Sequence, residues 1–118
     1  MKVVIGGCRD YCDYETAKMY IDECLQAESV RENVIIISGG CRGADRLGEM
    51  YALEKGFTVN IYNADWARYG RGAGPIRNRR MVENADIIIC FWDKKSKGTL
   101  SLIRLATCMR KKIYIKYV

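Results

Sequence analysis

The sequence predicts an α/β protein with a Rossmann-like three-layer sandwich, in which helices cover both faces of a five-stranded parallel sheet. Five short runs rich in Val and Ile recur along the 118 residues. They are mostly continuous rather than alternating, as is typical of strands buried on both faces. A stretch with helical periodicity follows each of the first four runs. Regular alternation of this kind predicts a parallel sheet between two helical layers.

The predicted strands fit a small domain. A chain of this length forms one compact unit, so a single domain is expected over residues 1–118. The expected strand order is 3-2-1-4-5, which is common for sheets of this type. The five strands are predicted at Lys2–Ile5, Val34–Ser38, Thr58–Tyr62, Asp86–Phe91 and Ile113–Tyr117.

Apolar side chains spaced three and four residues apart predict the helices. The second helix stops at Lys55-Gly56, and Pro75 marks the first turn of the third, a position that proline tolerates. The apolar stripes are Ala17, Tyr20, Ile21, Cys24 and Leu25 in the first helix, Ala44, Leu47, Gly48, Tyr51 and Ala52 in the second, and Thr99, Leu102, Ile103 and Ala106 in the fourth.

Charge and cysteine usage restrict the class of protein. The net charge of +6 is concentrated in Arg68–Arg80 and Arg110–Lys116. Such clusters favour an anionic partner, either a phosphate-bearing small molecule or a nucleic acid, although solubility is the favoured role of the C-terminal cluster. No apolar run is long enough to span a membrane and no signal peptide is evident. Without histidine or a C-x-x-C pair, the six cysteines indicate a reduced, cytoplasmic protein with neither a metal site nor a cofactor. A redox or metal site formed by Cys8, Cys12 and Cys41 is a less favoured alternative.

Four segments contain residues that packing alone does not require. Each follows a predicted strand, so all four are expected at the carboxyl edge of the sheet. Ligands of open α/β sheets bind there, where the strand order reverses between the first and fourth strands. The string Gly-Gly-Cys-Arg occurs in two of these segments, but their flanks share no pattern and an internal repeat is not expected. The segments are Gly6–Asp13, Ser38–Asp45, Ala64–Asn78 and Trp92–Thr99.

Two of these segments are candidates for holding a phosphate. Ser38–Asp45 has three glycines, which allow backbone N–H groups to approach an anion at a helix N-terminus. An ordinary turn with Asp45 as the helix cap explains it equally well. Ser96–Thr99 likewise suits either a cap or a phosphate cradle. Neither segment matches a dinucleotide or Walker fingerprint.

The segment Ala64–Met81 combines aromatic and basic side chains. Trp66 and Tyr69 are candidate stacking surfaces. Arg77 shares a helix face with Ala73 and Met81, so it is predicted to point inward. An inward arginine needs an anion, which is either the carboxylate of Asp45 or a ligand phosphate, with the ligand slightly favoured.

Together the four segments resemble the YspA-type branch of the SLOG superfamily, whose Rossmann-like relatives include DNA-processing protein A and the lysine decarboxylase-like phosphoribohydrolases. The resemblance covers almost the whole chain. The matching residues are Gly7-Cys8-Arg9, Ser38 to Asp45, Ala64-Asp65-Trp66, Gly70, Ala73-Gly74, Arg77-Asn78, Met81, Ala85-Asp86 and Ser96 to Thr99.

The resemblance implies a Rossmann-like fold with a site for a nucleotide or a nucleotide-derived ligand, and it settles no activity. Two positions depart from the relatives. Cys8 replaces the serine of Gly-Ser-Arg, and Leu102 stands where the phosphoribohydrolases have a glutamate. A hydrolase that uses that carboxylate is therefore not expected.

The leading hypothesis is binding of a nucleotide or NAD-derived small molecule, for sensing or processing. A nucleotide hydrolase that cleaves an N-glycosidic or phosphoester bond, with Asp45 or Asp93 as acid or base, is the second. Single-stranded DNA binding through the basic clusters, with an affinity that depends on Arg110–Lys112, is the third, and self-association is left open. The candidate ligand-binding residues are Gly7, Arg9, Gly39, Gly40, Arg42, Gly43, Asp45, Trp66, Tyr69, Arg77, Asn78, Ser96, Gly98 and Thr99.

Overall fold

A computed structural model describes residues 1–30 and 33–118 of the chain. Five parallel strands form one sheet in the order β3-β2-β1-β4-β5, which confirms both the predicted fold class and the predicted strand order. The strands are β1 (Lys2–Gly7), β2 (Ile35–Ser38), β3 (Thr58–Ile61), β4 (Ile87–Trp92) and β5 (Lys112–Tyr117).

Helices connect the strands, with one addition to the expected set. The predicted loop after β3 instead forms a short helix and a 3-10 turn at Gly70–Gly72 before the next helix begins. Asp65 starts this short helix, because its carboxylate accepts a hydrogen bond from the N–H of Arg68 at 3.1 Å. The helices are α1 (Tyr14–Ala27), α2 (Ala44–Lys55), α3 (Trp66–Tyr69), α4 (Ala73–Asn84) and α5 (Lys97–Cys108).

The alternating side chains of the sheet enter two separate cores. Val3 and Ile5 of β1 face α1 and α2, whereas Val4 faces α4 and α5. All three side chains are completely buried, as continuous apolar strands in a parallel sheet require. The three layers are therefore α1 and α2, the sheet, and α4 and α5. No helix in the described part of the chain is long and apolar enough to cross a membrane.

The register of β1 and β4 creates a crevice at the carboxyl edge. Gly7 pairs with Phe91 at the ends of these two strands. From there β1 leads to α1 on one face of the sheet and β4 leads to α5 on the other. Because the two connections leave in opposite directions, a gap opens between them, as expected at a topological switch point.

Candidate functional site

A cleft of about 410 Å³ occupies the carboxyl edge of the sheet at this crevice. It combines the ends of β1 and β4, the loop after β2, the first turn of α2, the middle of α4 and the first half of α5. Most of the candidate site residues line it. Its lining consists of Gly6, Gly7, Cys8, Arg9, Asp10, Cys41, Arg42, Asp45, Arg77, Asn78, Met81, Asp93, Lys95, Ser96, Gly98, Thr99 and Leu102.

Asp45 supplies the buried carboxylate of the cleft. It lies in the first turn of α2, and only 7% of its surface is exposed. Burial raises the pKa of this carboxyl to about 6, while the N–H of Cys41 and the charge of Arg77 act in the opposite direction. The side chain therefore changes its protonation state near neutral pH, which is a property of general acids and bases.

Asp45 does not cap its helix, in contrast to the alternative considered for this turn. Its carboxylate accepts a hydrogen bond from the N–H of Cys41 at 3.3 Å and holds the preceding loop. The N-cap of α2 is Gly43, which provides no side-chain acceptor. Asp45 is instead the acidic residue of the first turn of α2, where the positive end of the helix dipole favours a carboxylate.

Arg77 points inward, as its position in α4 predicts, but its main partner is the protein backbone. Its Nη1 donates to the carbonyl oxygen of Gly39 at 2.6 Å, and its Nε donates to Oδ1 of Asn78 at 3.0 Å. The guanidinium thus supports the glycine-rich loop from below and places a positive charge close to Asp45. The sequence predicted an anion as the partner of Arg77, either Asp45 or a ligand phosphate, and did not predict the hydrogen bond to the loop backbone.

The glycines of the loop are required by close packing rather than by phosphate contact. A Cβ atom on Gly39 would lie 2.8 Å from both Arg77 Nη1 and Asp45 Oδ2. Gly43 has a φ of +77°, and a Cβ there would lie 2.4 Å from the carbonyl oxygen of Arg9. The residue that follows the second Gly-Gly-Cys-Arg string is therefore packed against the end of the first string. Gly39, Gly40 and Gly43 are not among the residues that line the cleft, so their expected contact with a ligand stays a prediction.

Two backbone N–H groups expected to bind phosphate are already hydrogen-bonded. The hydroxyl of Ser38 accepts from Gly40 at 3.1 Å and donates to Glu49 at 2.7 Å. The hydroxyl of Ser96 accepts from the N–H of Thr99 at 3.4 Å. Of the two interpretations of Ser96–Thr99, the structure therefore contains the helix cap.

Asp93 forms the turn that precedes α5. Its Oδ1 accepts hydrogen bonds at 2.8 Å from the N–H groups of Lys95 and Ser96. These two bonds lower the pKa of the Asp93 carboxyl, so it stays ionised at neutral pH. Asp93 lines the cleft, and its expected acid or base role stays a prediction, although an ionised turn carboxylate is less suited to proton transfer near pH 7 than Asp45.

Trp66 and Tyr69 do not cover the cleft, which corrects their expected role there. They belong to α3, which follows β3 at the edge of the sheet, whereas the cleft lies between β1 and β4. Trp66 is 54% exposed and lines neither this cleft nor the cavity beside β3. Tyr69 lines a second cavity of about 240 Å³ at the end of β3.

Several residues of the lining are not among the candidate ligand-binding residues, although some of them, such as Asp10 and Lys95, lie in the four unusual segments. Asp10 pairs with Arg42 at 3.5 Å on the exposed rim of the cleft, and Lys95 adds a further cation. Lys95 is one of the three lysines in Lys94-Lys95-Ser96-Lys97 after β4, which was the available signal. The apolar floor depends on tertiary packing and had no local signal. The floor includes Met81 and Leu102.

The cysteines of the two loops carry no sign of a metal centre. Among residues 1–30 and 33–118, no group of three potential ligands is placed to hold a metal ion. Cys8 is buried, Cys41 is partly buried and Cys12 is exposed, and all three are free thiols. Burial, with the nearby charge of Asp93, raises the pKa of the Cys8 thiol, which reduces its reactivity.

The C-terminal basic cluster lies away from the cleft. Lys112 begins β5 and therefore occupies the opposite edge of the sheet. Its ammonium pairs with Glu28 at 2.5 Å, and the ammonium of Lys111 donates to the carbonyl of Ala85 at 2.8 Å. The dependence of single-stranded DNA binding on Arg110–Lys112 stays a prediction, and it would involve a surface outside the cleft.

Three comparisons relate this chain to known proteins. The model of the YspA, cpYpsA-related SLOG family matches residues 1–69. The Gene 61 protein of Mycobacterium phage D29 is 33% identical over 113 residues, covering 89% of this chain and 87% of that protein.

Two solved structures share the fold. DNA processing protein A from Streptococcus pneumoniae has a TM-score of 0.72 at 15% identity, over 97% of this chain and 49% of that one. DNA processing protein A from Helicobacter pylori, studied for its single-stranded DNA binding mode, has a TM-score of 0.70 at 22% identity. This match covers 98% of the present chain and 64% of the Helicobacter pylori chain. The chain thus spans about half of the first and under two thirds of the second.

Proposed function

This chain belongs to the YspA, cpYpsA-related SLOG family, and on that premise we propose that its cleft binds a nucleotide or a nucleotide-derived phosphate ligand. The observation that carries the proposal is the meeting of cations and a helix N-terminus in one cleft at the switch point of the sheet. Arg9, Arg42, Arg77 and Lys95 line this cleft. The first turn of α5 adds the positive end of its helix dipole, since Gly98 and Thr99 also line the cleft.

The size of the cleft supports a ligand larger than a free phosphate. Its volume of about 410 Å³ falls within the range of roughly 300–1,000 Å³ that is typical of small-molecule sites. Asp10 and Asp93 also line it, and their carboxylates are suitable acceptors for ribose hydroxyls. A mixture of cations and carboxylates suits a phosphorylated sugar better than a simple anion.

In this proposal, the residues that contact the phosphate groups belong to the exposed part of the cleft lining. Arg9 and Lys95 are exposed and have no ion-pair partner in the described part of the chain. The N–H of Gly98, in the first turn of α5, makes no hydrogen bond within the same residues. Arg77 acts as a positioning residue, since it already holds the carbonyl of Gly39.

Isothermal titration calorimetry with AMP, ADP and ADP-ribose tests the proposal. We expect saturable binding that weakens when Arg9 is changed to Gln. Mass spectrometry of the freshly purified protein provides an independent measurement, because a tightly held ligand co-purifies. Absence of both a heat signal and a co-purified nucleotide would contradict the proposal.

A hydrolase is the second candidate, and Asp45 is the observation that favours it. A buried carboxyl with a pKa of about 6 inside a cleft of this kind is suited to proton transfer during cleavage of an N-glycosidic or phosphoester bond. Incubation with the same nucleotides should then release free base or phosphate. The turnover rate should change around pH 6 and should be lost in Asp45→Asn. If nucleotides bind but no product is released, the hydrolase is excluded and binding alone is the function.

Single-stranded DNA is a third candidate ligand, because the Helicobacter pylori neighbour was studied for that binding. For this chain it predicts that an oligonucleotide binds more tightly than ADP, with an affinity that falls steeply with salt. Tight ADP binding with a shallow salt dependence would exclude this interpretation.

A further inference from the structure

The second cavity lies on the far side of the glycine-rich loop from the cleft. Its volume is about 240 Å³, and it is bounded by the end of β3 and by α3 and α4. Arg77 lines both cavities. A Cβ atom on Gly40 would lie 3.0 Å from both Asn63 Oδ1 and Ile61 Cγ2, two residues of the second cavity. The loop therefore forms a narrow ridge between two neighbouring cavities.

The lining of the second cavity suits a flat ring. Tyr62, Tyr69 and Ile76 contribute aromatic and aliphatic surface, and Arg80 adds an exposed cation. Tyr69 is half-buried, and the guanidinium of Arg68 lies 5.1 Å from the centre of its ring. A volume below the roughly 300 Å³ of ordinary ligand sites accommodates one ring system rather than a complete nucleotide.

We propose that the second cavity holds the second ring of a ligand whose phosphates lie in the cleft. The ligand class is then a two-ring nucleotide, in which two nucleosides are joined through a pyrophosphate or a phosphodiester. This inference rests on the proposed function, since it needs phosphates in the cleft. It assigns Tyr69 a stacking role in the second cavity.

The ridge between the cavities allows such a ligand to cross. Gly40 is exposed and has no side chain to obstruct the path over the loop. Arg77 lies below the ridge, where its Nη1 contacts the carbonyls of Gly39 at 2.6 Å and Tyr62 at 3.5 Å. Its charge is therefore shared by both cavities, which favours a phosphate group that lies between them.

Binding of two probes that differ by one nucleoside tests the inference. ADP carries one base, whereas diadenosine pyrophosphate carries two. We expect diadenosine pyrophosphate to bind the natural protein about tenfold more tightly than ADP, as one additional stacked base typically allows. In Tyr69→Leu this advantage is lost, while the affinity for ADP stays within about twofold.

A matched control comes from the same short helix. Trp66→Leu removes an aromatic ring that lines neither cavity, so both affinities should be unchanged. Should Tyr69→Leu fail to fold, Ile76→Trp fills the same cavity from α4 and is expected to remove the advantage in the same way.

The outcomes separate this inference from the proposed function. The role of the second cavity is overturned if ADP and diadenosine pyrophosphate bind the natural protein with equal affinity. It is also overturned if the ratio of the two affinities is unchanged in both Tyr69→Leu and Ile76→Trp. Nucleotide binding in the cleft stands in either case. Failure of both probes to bind the natural protein overturns the proposed function itself, and this inference with it.

Discussion

Arg77 Nη1 lies 2.6 Å from the carbonyl oxygen of Gly39, and this hydrogen bond joins the first half of α4 to the loop that follows β2. Gly39 is buried, and a Cβ atom at this position would lie 2.8 Å from the same nitrogen. Because Gly39 has no side chain, the guanidinium of Arg77 has room to approach the loop. Asp45 lies equally close to this point, so the loop, the cation and the buried carboxylate form one unit.

Replacement of Arg77 should destabilise the protein more than replacement of a neighbouring arginine. In Arg77→Met the buried carbonyl of Gly39 loses its partner, and the free energy of unfolding should fall by about 1–3 kcal/mol. Urea denaturation followed by circular dichroism measures this change. The control is Arg79→Met in the same helix, whose exposed pair with Glu83 is worth no more than about 0.5 kcal/mol. Equal losses in the two variants would contradict the role given to Arg77.

Asp45 should make the stability of the protein depend on pH. Its pKa in the folded protein, about 6, lies above the ordinary value of 3.8. Between these values the folded state binds more protons than the unfolded state, so the free energy of unfolding falls as the pH rises from about 4 to 6. A pKa difference of this size lowers the free energy of unfolding above about pH 6 by an amount on the order of 3 kcal/mol relative to its value at low pH.

Comparison with Asp45→Asn isolates this contribution from those of other carboxyl groups. Asp13, Glu28, Glu54 and Asp93 have lowered pKa values and produce the opposite trend in both proteins. The variant minus natural difference in unfolding free energy should therefore rise between pH 4 and pH 6. A difference that stays constant over this range would show that the Asp45 pKa is not raised.

Two glycine substitutions should change stability in opposite directions. In Gly39→Ala the new methyl group meets both Arg77 and Asp45, and we expect a loss of about 1–3 kcal/mol from overpacking. In Gly98→Ala the methyl group meets no heavy atom within 4 Å. Because Gly98 lies in the first turn of α5, this change should stabilise the protein by about 0.4–1 kcal/mol. Thermal and urea unfolding of the two variants give the comparison, and similar effects would argue against the described packing of the loop.

Removal of a rim cation should weaken phosphate binding and its dependence on salt. Lys95 lines the cleft and is exposed, so Lys95→Gln should reduce the affinity for ADP by roughly threefold to tenfold at low salt, and by less at high salt. Arg104→Gln on α5 removes another exposed cation, outside the lining, and serves as the control. Titration calorimetry at two salt concentrations measures both. An equal loss in the control would show that the effect arises from net charge alone.

Much of the fold follows from local patterns in the sequence. Continuous Val and Ile runs predict buried parallel strands, and the spacing of apolar residues predicts the helices between them. The inward direction of Arg77 follows in the same way, because residues four positions apart share a helix face. The segment after β3 was less predictable, because a helix of four residues, such as α3, has too few positions for a periodic pattern.

The sequence by itself determined the strand order, the edge at which the four unusual segments meet, and the residue types available there. Only the tertiary structure decided which of these residues share a cavity. Asp45 and Arg77 are 32 positions apart and lie together beneath one loop, whereas Trp66 and Tyr69 are close in sequence and only Tyr69 lines a cavity. The physical reason is that periodicity assigns each side chain to a face of its own element. The distance between faces of different elements depends on packing, and no local pattern records it.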